Sequence, residues 1–284
     1  MGIKHQAAQE AQSFRSDDEA LSWYEGMEPH IEIPLPPECR ARSIFGRPLI
    51  RFWTPNRTCL WRAQTLYTKE PDTVNWIKGF PESSVFCDVG ANVGMYTIFA
   101  AALGHRVMAF ECESWNYSLL NRNVALNGFG QSVSAFPVAL SDVVGYSEMF
   151  LAEMAGGSSC HQVGRQLDFG DNPLHSAFRQ GVYCDTLDSV FRDEQIARPQ
   201  FIKIDVDGIE DRILTGGARL LVSPGTKGVL VELNTNLERH RKIPEVMREW
   251  GFYWDEAQVE AAKRRDGPFR GVGNWIFSRD CSDP

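Results

Sequence analysis

The sequence lacks closely spaced cysteines, a membrane-length apolar run and an excess of positive charge. Its seven cysteines are an odd number, and the nearest two, Cys39 and Cys59, stand 20 positions apart, which excludes CxxC redox and zinc-ribbon motifs. No secretory h-region and no stretch of about 18 apolar residues is found, so we predict a reduced, cytoplasmic protein with no membrane partner. The 29 Lys and Arg residues are outnumbered by 37 Asp and Glu, and the net charge of -8 provides no bulk positive field for nucleic acid.

What the sequence does have is the composition of a globular protein and an alternating α/β pattern. Hydrophobic residues make up 43% and charged residues 23% of the 284 positions. Residues 1–80 are predicted to form an N-terminal extension, in which a polar tail precedes short strands that cover one side of the site. Residues 81–284 are predicted to form one α/β domain, since short β-branched runs alternate there with amphipathic segments. Residues 145–183 break the alternation and are interpreted as an insertion over one edge of the sheet.

The alternation predicts seven strands, enough for a doubly wound and mostly parallel sheet with helices on both faces. Ligands of such folds bind at the carboxyl ends of the strands, so the residues that follow each strand are the candidates for a site. The predicted strands are 85–89, 106–110, 133–138, 201–205, 228–233, 252–254 and 274–277. The predicted helices are 93–103, 115–126, 208–221 and 243–250.

A glycine-containing turn joins the first of these strands to the first helix. It has the sequence DVGANVG, with Gly90 and Gly94 placed where the backbone can turn sharply beside a ligand. The dinucleotide fingerprint G-x-G-x-x-G needs three glycines, and Asn92 stands where the middle one would admit a pyrophosphate. The turn therefore favours a nucleotide-like ligand without a pyrophosphate. Asp88 would repel a phosphate and suit a ligand that carries an ammonium or a sulfonium group.

An acidic residue ends the second strand at the spacing expected of a ribose partner. Glu111 stands 23 residues after Asp88, and a carboxylate at that strand end can accept two hydrogen bonds from ribose hydroxyls. The turn and this carboxylate together describe a site for an adenosyl group whose tail bears an amino acid, which indicates S-adenosylmethionine. The alternative is that the glycines only make a tight strand-to-helix turn and that Glu111 is a solvated strand end.

Six blocks of sequence between residues 85 and 233 follow one another in the order of a known family. They are DVGANVGMYTIFAAALG, VMAFECESWNYSLLNRNVALNG, VALSDVVG, DTLDSV, FIKIDVDGIEDRILTGGARLL and VLVEL. Together they resemble the FkbM family of S-adenosylmethionine-dependent methyltransferases. The resemblance implies an α/β, Rossmann-like class I methyltransferase fold, a seven-stranded sheet whose last strand is antiparallel, and O-methylation of hydroxyls on small molecules such as sugars and polyketides. Two positions depart from the family pattern: Cys112 stands where proline usually follows the acidic residue, and Asp207 replaces the glutamate of the DVEG block.

The resemblance also implies which residues would hold the cofactor. Asp88 and the glycine turn would bind the methionine moiety, Glu111 the ribose, and the end of the third strand the adenine. The cofactor would be S-adenosyl-L-methionine, with S-adenosyl-L-homocysteine as the product. The cofactor-binding candidates are Asp88, Gly90, Ala91, Asn92, Gly94, Glu111, Ala139 and Leu140.

Carboxylates also follow the fourth strand, where a catalytic group for methyl transfer to a hydroxyl is expected. The catalytic candidates are Asp205, Asp207 and Glu210. In one interpretation Asp205 or Asp207 is a general base, activated by an apolar setting. In a second, less favoured one, the three carboxylates gather a divalent cation that acidifies the acceptor hydroxyl. In a third, Lys203 and Asp205 form a buried pair, and Asp207 and Glu210 favour the positive end of the helix dipole.

The sequence leaves the acceptor open. It predicts a small hydroxylated molecule, a saccharide or a polyketide among them, and neither a nucleic-acid nor a membrane partner. N-methylation, protein methylation and a catalytically silent binding subunit stay open as alternatives, whereas an NAD-dependent oxidoreductase is disfavoured by the missing third glycine. The apolar and aromatic content of the N-terminal extension leaves a homo-oligomer open.

Overall fold

A computed structural model of the protein describes residues 29–192 and 195–279, which contain twelve strands and ten α-helices. The polar tail predicted at the start of the chain lies outside the described residues. Across the described ranges, no helix combines the length and the hydropathy needed to cross a membrane. The strands are β1 (His30–Pro34), β2 (Leu49–Trp53), β3 (Val85–Val89), β4 (Arg106–Phe110), β5 (Val133–Phe136), β6 (Ala139–Leu140), β7 (Gly145–Leu151), β8 (Gln162–Val163), β9 (Phe178–Asp185), β10 (Phe201–Ile204), β11 (Gly228–Asn234) and β12 (Val272–Ser278). The α-helices are α1 (Arg57–Gln64), α2 (Pro71–Lys78), α3 (Met95–Ala102), α4 (Ser114–Asn127), α5 (Leu187–Val190), α6 (Glu210–Gly216), α7 (Ala218–Val222), α8 (Glu238–Arg241), α9 (Ile243–Glu249) and α10 (Glu256–Ala262).

Six strands form the central sheet in the order β12-β11-β10-β3-β4-β5. The strands from β11 to β5 run parallel to their neighbours, and β12 pairs with β11 in the antiparallel direction. The inner strands are buried on both faces, as a parallel sheet between two helical layers requires. This is the doubly wound, Rossmann-like architecture of class I methyltransferases. The predicted fold class is therefore confirmed, including its antiparallel last strand.

The central sheet has one strand fewer than predicted. Residues 252–254 make a single antiparallel bridge, between Tyr253 and Ser278, instead of a strand. The chain leaves the sheet at this point because the side chain of Asp255 accepts a hydrogen bond from the backbone N–H of Ala257 and so caps helix α10. The missing strand lies at the edge of the sheet, and the order of the strands that position the site is unaffected.

The described part of the N-terminal extension packs against one face of the sheet. Ile50 and Phe52 of β2 are buried in the same hydrophobic core as Phe99 of helix α3. The backbone N–H of Trp53 donates to Oδ1 of Asn123 on helix α4 at 2.8 Å. The extension is thus continuous with the main core of the molecule.

Residues 145–183 belong to a second, four-stranded sheet in the order β6-β9-β7-β8. Strand β9 pairs antiparallel with β7 and parallel with β6. In the chain, β6 directly follows β5 of the central sheet. Between β7 and β8 the chain reaches back over the carboxyl ends of the central strands. There the carbonyl O of Ser158 accepts hydrogen bonds from Nδ2 of Asn92 at 2.8 Å and from Nδ2 of Asn116 at 3.0 Å. These bonds tie residues 145–183 to the glycine turn.

Candidate active site

A cavity of about 400 Å³ lies at the carboxyl ends of β3, β4 and β10, where doubly wound sheets bind their ligands. Ser158 from the loop between β7 and β8 and Arg62 from the N-terminal extension complete its walls. Most of the residues predicted for the site line this cavity, namely Gly90, Ala91, Asn92, Glu111, Ala139, Leu140, Asp205 and Asp207. Three of the predicted residues, Asp88, Gly94 and Glu210, lie outside its lining.

The glycine turn is shaped by the strand end beside it. Gly90 has a φ of 78°, and a Cβ at this position would lie 1.9 Å from the backbone carbonyl O of Asp205. Glycine is therefore required both by the backbone conformation and by the close approach of β10. The backbone N–H groups of Gly90 and Ala91 donate to the carbonyl O of Phe110 at 2.9 and 3.1 Å. The turn is held between two neighbouring strands by these backbone contacts.

Two residues predicted to bind the methionine moiety, Asp88 and Gly94, lie behind the turn and outside the lining of the cavity. Asp88 is 1% exposed, its Oδ2 accepts from Oγ1 of Thr97 at 2.6 Å, and its Oδ1 lies 4.0 Å from Nζ of Lys203. Because side chains alternate along a strand, Asp88 shares the face of Phe86 and points beneath helix α3. Gly94 precedes that helix with a φ of 87°. Both residues support the turn from behind.

Glu111 follows β4 and directs its carboxylate at the glycine turn. Its Oε2 accepts from the backbone N–H of Asn92 at 2.8 Å, and its Oε1 accepts from the backbone N–H of Glu113 at 2.7 Å. Burial raises the pKa of Glu111 to about 7. Each carboxylate oxygen can accept a second hydrogen bond, so the group can still receive two ligand hydroxyls. This arrangement suits the neighbouring hydroxyls of a ribose.

An apolar wall follows the carboxylate. Ala139 and Leu140 form the short strand β6 and are buried. Together with Phe110, Val138 and Met149 they line one side of the cavity. Such a wall suits a flat aromatic ring, and its place beside Glu111 suits an adenine attached to a ribose.

The lysine–aspartate pair considered for the fourth strand is present. Nζ of Lys203 lies 2.7 Å from Oδ2 of Asp205 and 5.3 Å from the centre of the Tyr96 ring. Burial opposes the ionisation of Asp205, but the charges of Lys203 and Lys69 outweigh it and lower the pKa of Asp205 to about 2. Asp205 therefore stays ionised and is a weak proton acceptor.

Asp207 lines the same cavity with different properties. Its backbone is left-handed, with a φ of 63°. Its Oδ2 accepts from the backbone N–H of Cys160 at 2.6 Å. Burial, reinforced by the charge of Asp205, raises the pKa of Asp207 to about 6. A carboxylate with this pKa can accept a proton near neutral pH.

Glu210 does not join the other two carboxylates, which corrects the expectation that all three meet. Its Oε1 accepts from the backbone N–H groups of Val206 at 3.1 Å and Gly208 at 3.2 Å. Its Oε2 lies 3.4 Å from Nε2 of the buried His240. Burial raises the pKa of Glu210 to about 8. Because it opens helix α6 directly after the loop, its side chain folds back and braces the loop that carries Asp207.

Two acidic residues that the sequence analysis did not assign lie beside Asp205. Carboxyl oxygens of Glu70, Glu232 and Asp205 lie within 4.8 Å of one another. Lys69 lies 2.7 Å from Glu70 and Arg264 lies 3.0 Å from Glu232, so side-chain cations already balance a cluster that has the chemistry of a divalent-cation site. Glu232 is the fourth residue of the VLVEL block, and its place near the carboxyl end of a predicted strand is the signal that could have found it. Glu70 gives no local signal because it comes from the N-terminal extension.

Comparison with known proteins identifies the family. Residues 88–253 match the family model of the methyltransferase FkbM domain. The chain belongs to the FkbM methyltransferase family. Among curated proteins, methyltransferase sdnD of Sordaria araneosa is 25% identical over an alignment of 162 residues, and the match covers 49% of this chain and 62% of that protein. The chain thus spans less than two thirds of the length of this curated relative.

Solved structures are similar to this FkbM chain at low sequence identity. The methyltransferase FkbM from Methylobacillus flagellatus KT is 14% identical with a TM-score of 0.45, and the match covers 70% of this chain and 44% of that one. Fibrillarin from Aeropyrum pernix, solved with natively bound S-adenosyl-L-methionine, is 10% identical with a TM-score of 0.43, and the match covers 75% of this chain and 76% of that one. The residues matched by the family begin at Asp88, so the N-terminal extension lies outside them.

Proposed function

We propose that this FkbM methyltransferase transfers a methyl group from S-adenosylmethionine to a hydroxyl of a small metabolite or saccharide. The observation that carries the proposal is the composition of one cavity, in which the glycine turn and Glu111 lie together with Asp205 and Asp207. Methyl transfer to oxygen requires that the methyl donor and the acceptor be aligned and that the acceptor lose a proton. A cavity of about 400 Å³ that joins a nucleotide-binding end to an acid–base end meets both requirements.

The residues present fit the cofactor. Ala139 and Leu140 offer apolar surface to the adenine, Glu111 accepts the ribose hydroxyls, and the backbone at Gly90 borders the methionine moiety. When bound, the cofactor supplies an electrophilic methyl group on a positively charged sulfur. The ionised carboxylate of Asp205, next to the turn, favours that positive charge.

Asp207 is the proton acceptor in this proposal. With a pKa of about 6, its carboxylate is ionised at neutral pH and still basic enough to take the hydroxyl proton. Asp205, with a pKa of about 2, is too weak a base and acts through its charge. Asp207 receives the proton while a new carbon–oxygen bond to the acceptor replaces the carbon–sulfur bond.

The side chains near these carboxylates favour an acceptor that carries several hydroxyl groups. The aromatic Trp61 lines the cavity, together with Lys69, Glu232 and Arg264, which carry charges of both signs. Ring faces pack against sugar rings, and neighbouring donors and acceptors bind several hydroxyls at once. A saccharide or another molecule rich in hydroxyls fits this lining better than a wholly apolar one.

Titration with S-adenosylhomocysteine, followed by isothermal calorimetry, tests the cofactor half of the proposal. We expect saturable binding that Glu111→Ala weakens by at least about tenfold, because two charge-assisted hydrogen bonds are lost. Glu260→Ala, at an exposed position of helix α10, is the matched control and should bind as the wild type does. No binding at millimolar ligand, or full binding by Glu111→Ala, would contradict the proposal.

Turnover with a panel of acceptors tests the other half. The enzyme is incubated with S-adenosylmethionine and monosaccharides, disaccharides or hydroxylated polyketide lactones, and mass spectrometry locates any added methyl group. Methylation at a hydroxyl is expected. Methylation confined to amines or proteins, or bound cofactor that is never consumed, would contradict O-methylation. Loss of activity on treatment with EDTA would favour the divalent-cation alternative.

A further inference from the structure

Arg62 is a buried cation in the cavity wall to which the proposed chemistry gives no role. It lies on helix α1 of the N-terminal extension, is 8% exposed and lines the cavity. Its Nε donates to the carbonyl O of Gly157 at 2.5 Å. Within residues 29–192 and 195–279, no carboxylate lies within ion-pair distance of its guanidinium, and its charge acts on the carboxylate of Asp207 only from farther away.

The other cations that line the cavity are each matched by a carboxylate of the protein. The pairs are Lys69 with Glu70, Lys203 with Asp205, and Arg264 with Glu232. A buried charge without a counterion is costly. Arg62 therefore points to a ligand group that brings a negative charge into the cavity.

The hydrogen bonds of the neighbouring segment place Arg62 beside the glycine turn. The carbonyl of Gly157, which Arg62 holds, is adjacent in sequence to that of Ser158, which accepts from Nδ2 of Asn92 at 2.8 Å. The backbone N–H of Gly157 donates to Oδ1 of Asn116 at 2.7 Å, so the segment is fixed from both sides. The same segment continues to Cys160, whose backbone N–H donates to Oδ2 of Asp207. Arg62 thus borders the part of the cavity between the glycine turn and Asp207, which includes the place that the proposed function gives to the methionine moiety.

We propose that Arg62 binds the α-carboxylate of the methionine moiety of S-adenosylmethionine, an inference that rests on the proposed function. That carboxylate is the anionic group of the cofactor. A guanidinium held through Nε still presents its two Nη groups, and its planar fork matches the geometry of a carboxylate. The N-terminal extension, which the sequence analysis assigned to the acceptor side, then contributes directly to cofactor binding.

A comparison of two ligands across matched variants tests this assignment by calorimetry. The ligands are S-adenosylhomocysteine and its decarboxylated analogue, which keeps the amine and lacks only the carboxylate. We expect the wild type to bind the analogue roughly 10- to 100-fold more weakly than S-adenosylhomocysteine. Arg62→Gln should lower the affinity for S-adenosylhomocysteine by a similar factor and change the affinity for the analogue by less than about twofold. Arg62→Lys keeps the charge and should recover part of the affinity for S-adenosylhomocysteine that Arg62→Gln loses. Arg57→Gln, an exposed position of the same helix, should behave as the wild type.

Each other outcome has a distinct meaning. If the wild type binds neither ligand, the proposed function itself fails. If the wild type binds both ligands equally well, the carboxylate is not recognised and the role of Arg62 is overturned, whether or not Arg62→Gln folds. Equal weakening of both ligands by Arg62→Gln would assign Arg62 a purely structural role. Unchanged affinity for S-adenosylhomocysteine with a raised KM for the acceptor would place the guanidinium at an anionic acceptor instead.

Discussion

Asp205 and Asp207 stand two positions apart, yet their carboxylates differ in proton affinity. Lys203, at 2.7 Å from Asp205, outweighs the effect of burial and holds the pKa of Asp205 near 2. Asp207 has no such close cation: burial raises its pKa to about 6 against the opposing effects of the Cys160 backbone N–H and the more distant charges of Arg62 and Lys69. Neighbouring residues of one loop thus supply a fixed negative charge and a proton acceptor.

Substitution of Asp207 tests this division of roles. We expect Asp207→Asn to lower kcat by roughly 10²- to 10⁴-fold, the usual contribution of a general base, while affinity for S-adenosylhomocysteine changes less than about twofold. In the wild type kcat/KM should rise with pH through about 6, because Asp207 can accept a proton only when it is ionised. Steady-state rates between about pH 5 and pH 8 measure both effects. Asp266→Asn, at an exposed position, is the control. Full turnover by Asp207→Asn would show that another residue is the general base.

We expect Glu111 to make cofactor affinity depend on pH. Burial raises its pKa to about 7, and in the proposed complex ribose hydroxyls donate to its ionised form. Binding therefore favours loss of the proton, and affinity for S-adenosylhomocysteine should rise with pH through about 7, with release of up to one proton. Calorimetry in two buffers of different ionisation enthalpy measures that release. Glu111→Gln should flatten the profile, and an affinity of the wild type that does not change with pH would rule out titration of this group.

At the level of helices and strands, a site residue can be predicted from the sequence only when its sequence signal is local. The position of the glycine turn and Glu111 at the cavity is predictable because both belong to a strand–turn–helix pattern that can be recognised within a few residues. Asp88 stands in the same pattern, but strand alternation puts its side chain on the face of Phe86, outside the cavity lining. Glu70 and Arg62 could not be found at all, because their place in the cavity depends on how the N-terminal extension packs on the sheet.

The fit between the glycine turn and β10 predicts the effect of a single methyl group. Gly90→Ala would place a Cβ 1.9 Å from the carbonyl O of Asp205 at a φ of 78°, so we expect it to lower the free energy of unfolding by more than about 3 kcal/mol or to prevent folding. Gly130→Ala is the matched control, because a Cβ there meets nothing within 4 Å, and its effect should stay within about 1 kcal/mol. Urea denaturation measures both. Equal stability of the two variants would show that the turn can move away from β10.

Across the whole molecule, helix α4 joins the N-terminal extension to the glycine turn. Asn123 accepts from the backbone N–H of Trp53 at 2.8 Å and donates to the carbonyl O of Val93 at 2.7 Å. One helical turn later, Asn127 accepts from the N–H of Arg51 at 2.8 Å and donates to its carbonyl O at 2.7 Å. Two asparagines on one helix face thus provide β2 with the hydrogen bonds that an edge strand would otherwise seek from another strand.

This linkage predicts that the extension and the catalytic sheet unfold in one cooperative transition. Asn123→Ala would remove the side-chain acceptor of the buried Trp53 N–H and the side-chain donor to the Val93 carbonyl, so we expect it to lower the free energy of unfolding by about 2–4 kcal/mol. It should also weaken S-adenosylhomocysteine binding, because Val93 belongs to the glycine turn. Calorimetric melting and far-UV circular dichroism should report the same midpoint, and the exposed Asn121→Ala of the same helix should match the wild type. A separate transition for the extension, or residues 81–284 that fold and bind S-adenosylhomocysteine on their own, would show that the two parts are independent domains.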